Sequence, residues 1–203
     1  MKYFKVVVWG DSIPAGGPGS WPEITEHIHN NFLNTGTRIK VVNSSIDGKP
    51  AAAARDEFAE CVLEHDPQLV FIQFGLSDMC YDGRRGSRPV STPKEFKAHL
   101  KEMIVRCKGI PAKVIIFGNH QPAPVFILPD GKTYPEKVME YNAAARKAAQ
   151  ECNVEFHDMS QLDIPGGTWR DLVGDDYIKL SELGRNLYGN KAATLIMRHI
   201  NNM

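Results

Sequence analysis

Residues 5–13, with the sequence KVVVWGDSI, join a short apolar run to a Gly-Asp-Ser turn. The run at 5–9 is rich in β-branched side chains and apolar on both faces, which is typical of a buried strand. Gly10 permits a tight turn where that strand ends. The hydroxyl and N–H of Ser12 are then expected at the carboxyl edge of a sheet, although a Gly-Asp-Ser tripeptide by itself is also typical of a plain turn.

The rest of the chain alternates between strand-like and helix-like patterns. Four more β-branched runs predict strands at 38–43, 68–74, 113–117 and 154–158. Segments with helical spacing predict helices at 21–33, 51–64, 93–107, 135–152 and 181–200, the last with Ser181 as its N-cap. Such alternation implies right-handed crossovers and a three-layer α/β/α domain around a parallel sheet. Ligands of such sheets bind at the carboxyl ends of the strands.

The chain has 203 residues, with 24 basic and 24 acidic side chains and a formal net charge of zero. The length predicts one domain over residues 1–203, and the balanced charge argues against a nucleic-acid partner. Four widely spaced cysteines without a CxxC pair argue against a zinc site or disulfide framework, so we expect reduced, mostly buried thiols. No apolar run suits a membrane span or signal peptide, which predicts a cytoplasmic protein. Oligomeric state has no signature in the sequence.

The residues that follow Ser12 in the sequence strengthen the functional interpretation of its turn. The motif GDSI at 10–13 is followed by Ser-Trp-Pro at 20–22, and together they resemble the first block of the SGNH (GDSL-type) serine hydrolase family. The resemblance implies a flavodoxin-like, five-stranded parallel sheet of order 2-1-3-4-5. It also implies that Ser12 is the nucleophile and that Asp11 lies beside the site.

Two further blocks of that family supply the oxyanion hole. Gly48, after the second predicted strand, stands in the place of the family's oxyanion glycine, so its backbone N–H would face a developing oxyanion. The Asp-Gly dipeptide there is also a strong turn signal. The third block, Gly-x-Asn-Asp, is matched by GLSD at 75–78. Ser77 therefore replaces the oxyanion asparagine with a shorter side chain, while Asp78 is retained.

The family's histidine base is missing from the C-terminal block. Where the family has Asp-x-x-His, residues 176–179 read DYIK, so Asp176 is retained and Lys179 occupies the histidine position. A lysine base would need its pKa lowered by roughly three units from about 10.4, whereas a nearby carboxylate raises it. We therefore expect a permanent cation, either in a surface ion pair with Asp176 or as an anion-binding charge beside Ser12.

Two histidines follow strands four and five on the predicted catalytic edge. Strands spaced about 4.8 Å apart place the end of strand four roughly 10 Å from strand one and that of strand five roughly 14 Å away. His120 is then within reach of Ser12 as a substitute base, and His157 is not. Asn119 offers an amide to a polar substrate. The simpler interpretation is that His120 and Asn119 cap a surface loop.

The sequence favours an esterase or acylhydrolase for a small or carbohydrate-linked ester. Ser12 would attack the carbonyl, and Ser12 N–H, Gly48 N–H and Ser77 would hold the oxyanion. The alternative is a non-catalytic protein of the same fold that binds a small anionic or sugar ligand. No nucleotide-binding motif follows strand one, and we expect no metal or cofactor. Three arginines after the third block are solvated or recognise an acidic substrate: Arg84, Arg85 and Arg88.

Overall fold

A five-stranded parallel sheet forms the centre of the molecule, which a computed structural model describes over residues 3–81, 83 and 88–203. The strands are β1 (Phe4–Gly10), β2 (Ile39–Asn43), β3 (Leu69–Gln73), β4 (Lys113–Phe117) and β5 (Glu155–His157). Their order, β2-β1-β3-β4-β5, confirms the predicted topology. Because all four pairings are parallel, the carboxyl ends of the strands meet at one edge of the sheet.

Helices cover both faces of the sheet. They are α1 (Ser12–Ala15), α2 (Trp21–Phe32), α3 (Ala51–Ala54), α4 (Phe58–Cys61), α5 (Pro93–Lys108), α6 (Tyr134–Glu151), α7 (Trp169–Leu172) and α8 (Glu182–Asn201). Helix α2 packs against α8, and α5 packs against α6. Burial on both faces explains why the strands read as continuous apolar runs, and every residue of β3 is buried.

Aromatic side chains fill the two layers between the sheet and the helices. On one side, the Trp21 ring packs against Phe71 of β3 and Phe117 of β4, with ring centroids 5.9 and 5.5 Å away. On the other, Trp9 of β1 contacts Phe58 of α4 at 6.0 Å. Rings of this size bury enough apolar area for each to contribute about 2–3 kcal/mol to the stability of the fold.

Most predicted boundaries hold to within two residues, and one predicted helix is wrong in form. The segment predicted as a helix at 51–64 is instead broken into α3, α4 and two 3₁₀ turns, Arg55–Glu57 and Leu63–His65. At the first break, Arg55 Nε donates to the carbonyl of Ala52 at 3.2 Å, an acceptor that a continuous helix would use for a backbone N–H. Ser181 caps α8 as predicted, since its Oγ accepts the N–H of Gly184 at 3.0 Å.

None of the helices in the described ranges is long and apolar enough to cross a membrane. The four cysteines are free thiols: Cys107 is buried, Cys61 and Cys152 are half-buried, and Cys80 is exposed. The prediction of mostly buried thiols is therefore wrong in detail, because two of these cysteines lie at the margin of the core and one lies on a surface loop.

Candidate active site

Strand β1 delivers Ser12 to the carboxyl edge of the sheet. The N–H of Asp11 donates to the carbonyl of Gln73 at 3.1 Å, and α1 begins at Ser12 directly afterwards. Gly10 is required at this bend, because a Cβ atom there would lie 2.4 Å from both the Gln73 carbonyl oxygen and Pro14 Cγ. Ser12 is half-buried, and its Oγ forms no hydrogen bond with any described residue. Its hydroxyl is therefore available to a ligand.

The loop after β2 brings Gly48 to the same edge. The N–H of Ile46 donates to the carbonyl of Gly10 at 3.1 Å, which ties this loop to the Ser12 turn. Gly48 is exposed and has φ +75°, a left-handed conformation that glycine adopts without strain. Within the described ranges its N–H has no acceptor, so it is free to donate to a bound oxygen.

A buried carboxylate joins the Ser12 turn to the loop after β3. Asp11 is fully buried, and its Oδ2 accepts the N–H groups of Gly75 and Ser77, each at 3.1 Å. Its other oxygen, Oδ1, is buried without a partner among the described residues. Burial raises the pKa of Asp11 to about 7, and the nearby charge of Asp78 adds to the shift, against the lowering effect of the backbone donors.

Asp78 holds the neighbouring loop in a similar way. Both of its carboxylate oxygens accept the N–H of Ala51, at 3.2 and 3.0 Å, so Asp78 fixes the start of α3 just after the Gly48 loop. Burial raises its pKa to about 6. Ser77, between these anchors, is 8% exposed, and its hydroxyl has no partner within the described part of the chain.

Lys179 forms an ion pair with a residue that the sequence did not indicate. Its Nζ lies 2.8 Å from Asp47 Oδ2, in the loop that carries Gly48. The predicted ion pair with Asp176 does not form: Asp176 Oδ1 instead accepts the N–H groups of Ile178 and Lys179, at 2.9 and 2.7 Å. The hydrogen bond to Asp47 raises the pKa of Lys179, which favours the charged ammonium form.

His120 is fully buried, and both of its ring nitrogens are engaged. Nε2 donates to the carbonyl of Ile178 at 2.7 Å, and the Tyr188 hydroxyl lies 3.3 Å from Nδ1. Burial lowers the pKa of His120 to about 4. An imidazole whose Nε2 donates a hydrogen bond to a backbone carbonyl is poorly placed to accept the Ser12 proton. Its contacts instead anchor the loop that carries Lys179.

Asn119 is also part of the buried framework and does not line the site. Its Nδ2 donates to the carbonyl of Phe74 at 2.9 Å, and its Oδ1 accepts from Gln73 Nε2 at 3.3 Å. His157 pairs with Glu155 at 2.8 Å on strand β5. Both polar atoms of the Asn119 side chain are therefore used in structural hydrogen bonds, which leaves this buried amide poorly placed for the predicted contact with a substrate.

Of the three arginines considered, Arg88 forms an ion pair with Glu95, and Arg84 and Arg85 lie outside the described residues. The sequence reasoning missed Asp47 as a partner of Lys179 and Tyr188 as a partner of His120. In the sequence, Asp47 is recognisable only as the first residue of an Asp-Gly turn. Nothing in the periodicity of α8 distinguishes Tyr188 from an ordinary core residue.

Known proteins resemble this chain in sequence and in fold. Residues 8–187 match the GDSL-like Lipase/Acylhydrolase family. An arylesterase from Vibrio mimicus is 30% identical over 122 residues, 58% of this chain and 56% of that protein, so the match spans just over half of the relative. The lipase/acylhydrolase structure from Enterococcus faecalis has a TM-score of 0.76 at 22% identity, covering 98% of this chain and 95% of that chain. The structure of the esterase EstA from Pseudoalteromonas sp. has a TM-score of 0.72 at 17% identity, covering 98% of this chain and 99% of that chain.

At these identities the solved structures show the fold alone, whereas the family match extends over most of the chain, from the end of β1 into α8. This protein belongs to the GDSL-like lipase/acylhydrolase family.

Proposed function

We propose that this protein hydrolyses carboxylic esters with Ser12 as the nucleophile, at a rate limited by the absence of a histidine base. Two observations carry the proposal: the half-buried Ser12 hydroxyl and the Gly48 N–H have no partner among the described residues, and their two loops are joined at the carboxyl edge by the hydrogen bond from Ile46 N–H to the Gly10 carbonyl. Family membership and an arylesterase relative support ester chemistry. The acetyl xylan esterase among the structures of like fold is compatible with an ester of a sugar.

In this mechanism Ser12 Oγ attacks the carbonyl carbon, and negative charge develops on the carbonyl oxygen. The N–H groups of Ser12 and Gly48 donate to that oxygen, with the Ser77 hydroxyl as a third donor. Asp11 and Asp78 keep these groups in place, because each ties a neighbouring loop to the edge through backbone N–H groups. Preorganised donors of this kind retain part of the catalysis when a base is lost.

Neither of the two candidate bases is free to receive the Ser12 proton. Lys179 is a cation held by Asp47, and His120 is buried with both nitrogens engaged. Loss of the histidine base in a serine triad lowers kcat by roughly 10⁶-fold. Transfer of the proton to water or hydroxide leaves a slow reaction whose rate rises with pH.

A second function is favoured by the ion pair of Lys179 with Asp47, in the loop that carries Gly48. An ammonium in the position of the base would hold a carboxylate or phosphate against Ser12 and Gly48 N–H if the ligand displaced Asp47. Such a protein would bind a small anionic or sugar ligand without turnover. The same ion pair is therefore compatible with slow hydrolysis and with ligand binding. Measurement of ester turnover distinguishes the two functions.

The test is hydrolysis of p-nitrophenyl and naphthyl esters by the purified chain and by Ser12→Ala, His120→Ala and Lys179→His variants. Slow turnover that disappears in Ser12→Ala supports hydrolysis at Ser12. A gain in Lys179→His is expected, because an imidazole there would follow Asp176 in the family's spacing. If the wild type is silent and only Lys179→His is active, the protein is a ligand-binding member of the family. Loss in a correctly folded His120→Ala variant would reinstate His120 as the base.

A further inference from the structure

The loop after β4 holds three consecutive apolar side chains in solvent. Val125, Phe126 and Ile127 are 55%, 43% and 73% exposed. Tyr177, which is 50% exposed, belongs to the same surface, because its carbonyl accepts the N–H of Ala123 at 2.9 Å. Single apolar residues on a surface are ordinary, whereas a contiguous group of them is typical of an interaction surface.

The backbone of this loop is fixed by contacts on its far side. An antiparallel bridge joins Ile127 to Thr133. Asp130, between them, forms an ion pair of 2.7 Å with the buried ammonium of Lys137 on α6. The apolar side chains are therefore presented by an ordered backbone, so a partner that covers them has little backbone entropy to remove.

A cleft of about 500 Å³ adjoins the apolar run. Val125 and Tyr177 both contribute to its wall, together with the half-buried Trp169 at the start of α7. We call the five side chains the apolar face: Val125, Phe126, Ile127, Trp169 and Tyr177. Side chains of this size, exposed to this degree, present roughly 400 to 500 Å² of apolar area, which is as large as the largest patch on a typical monomer.

Two exposed side chains of opposite charge lie in the wall of the same cleft. They are Arg170 of α7 and Asp175 of the hairpin at 173–180. Neither has an ion-pair partner in the described part of the chain, and the Arg170 guanidinium instead stacks over the Trp169 ring, 5.4 Å from its centroid. A partner that offers a cation, an anion and an apolar surface would satisfy this face.

A second copy of this chain has that composition. In a two-fold interface the same surface contributes from both sides, so a two-fold axis through the cleft would place Arg170 of one copy opposite Asp175 of the other, twice. The formal net charge of zero removes the long-range repulsion between copies. Carboxylates beside the apolar face, at Asp130, Asp175 and Asp176, argue against an anionic lipid surface.

We propose that the apolar face is the interface of a two-fold dimer, held by apolar contact around Ile127 and by reciprocal ion pairs between Arg170 and Asp175. The proposal goes beyond ester hydrolysis and does not depend on it. Two such faces would bury about 1,000 Å² in total, which is at the low end for a specific interface. We therefore expect a dissociation constant in the micromolar range.

Sedimentation velocity of the full chain, from about 1 to about 100 μM, measures the association. The wild type should shift from monomer to dimer as its concentration rises. Ile127→Glu should raise the dissociation constant at least about 10-fold, because it places an unpaired carboxylate in the apolar contact. Val105→Glu is the matched control and should dimerise like the wild type, because Val105 is 60% exposed on α5, outside the apolar face.

Charge reversal tests the two-fold pairing. Arg170→Glu and Asp175→Arg should each weaken dimerisation at least about 5-fold, because like charges then face each other between the two copies. The double variant, Arg170→Glu with Asp175→Arg, should recover most of the lost affinity, because the opposite charges are restored with their positions exchanged. A double variant as weak as the single variants would overturn the reciprocal pairing.

Three results would overturn the interface itself. One is a wild-type chain that stays monomeric over the whole concentration range. Another is a dimer that Ile127→Glu and Val105→Glu weaken equally. The third is a monomeric chain that co-sediments with phosphatidylcholine or phosphatidylserine vesicles and loses this binding in Ile127→Glu, which would assign the apolar face to a lipid surface. Ester turnover by the monomer would leave the proposed function standing in each case.

Discussion

Replacement of Asp11 by asparagine should change how the stability of the protein depends on pH. The carboxyl is fully buried, Oδ2 accepts two backbone N–H groups, and Oδ1 has no partner among the described residues. An asparagine oxygen can accept the same two N–H groups from Gly75 and Ser77. The variant therefore keeps the loop contacts and removes only the titration of the buried acid.

The size of the change in unfolding free energy follows from the raised pKa of Asp11, which is about 7 in the folded protein and 3.8 for the ordinary group. Below pH 3.8 both folded and unfolded chains carry the proton. As the pH rises toward 7, the unfolded chain releases it while the folded chain keeps it, so the free energy of unfolding falls. At about 1.4 kcal/mol per pH unit, the loss approaches about 4 kcal/mol at neutral pH. In Asp11→Asn this fall in the free energy of unfolding does not occur, because the asparagine does not titrate.

Urea unfolding at pH 4, 5.5, 7 and 8, followed by tryptophan emission, measures the effect. An unpartnered buried amide in the variant costs about 1–3 kcal/mol at every pH. The difference in unfolding free energy, variant minus wild type, should nevertheless rise by about 4 kcal/mol from pH 4 to pH 8. Asp163→Asn, at an exposed carboxylate, should parallel the wild type. A difference that stays constant over this range would refute the conclusion that burial keeps Asp11 protonated.

Three further predictions follow from single contacts. Asp47→Asn should lower the pKa of Lys179 toward its ordinary value, because its main stabilising partner is lost; an unmoved NMR titration of this lysine would contradict the ion pair. His120 should titrate near pH 4 by NMR, and stability should fall as the pH drops from 6.5 toward 4, since the unfolded chain binds the proton more readily; a midpoint near 6.5 would show an exposed ring. Gly10→Ala should lower the free energy of unfolding by about 3 kcal/mol, because its Cβ would lie 2.4 Å from a β3 carbonyl oxygen. Gly174→Ala, whose Cβ would have its nearest atom at 3.7 Å, should be tolerated, and equal stabilities of the two variants in thermal or urea unfolding would refute the steric argument.

Local sequence patterns predicted the strands and helices well where one physical effect, such as burial or capping, determines the structure of the segment. Apolar runs of β-branched residues located all five strands, since a parallel sheet covered on both faces needs no polar alternation. The Ser181 cap followed from its position before a helical pattern. The pattern at 51–64 misled, because it fits a helix throughout, while the side chain of Arg55 competes for a helical carbonyl. Periodicity cannot register such competition.

The family motifs predicted the residues of the candidate site, and the positions that depart from those motifs predicted where its chemistry would differ from the family's. The resemblance placed Ser12 and Gly48 on loops that the structure brings together through the N–H of Ile46. It also predicted that Lys179 stands at the position of the family's histidine base. It could not assign the partner of Lys179, because Asp47 lies 132 residues earlier in the chain. The closer carboxylate, Asp176, was the natural expectation from sequence distance.

The sequence by itself determined the α/β class, and its motifs determined the edge that carries Ser12, because strand and helix periods and tight turns are local properties of the chain. Tertiary structure alone decided which charges pair, which histidine is buried, and which aromatic rings remain in solvent. Those outcomes depend on how loops from different strands pack at the common edge. Burial sets the pKa values of Asp11 and His120, and burial is a property of the assembled layers.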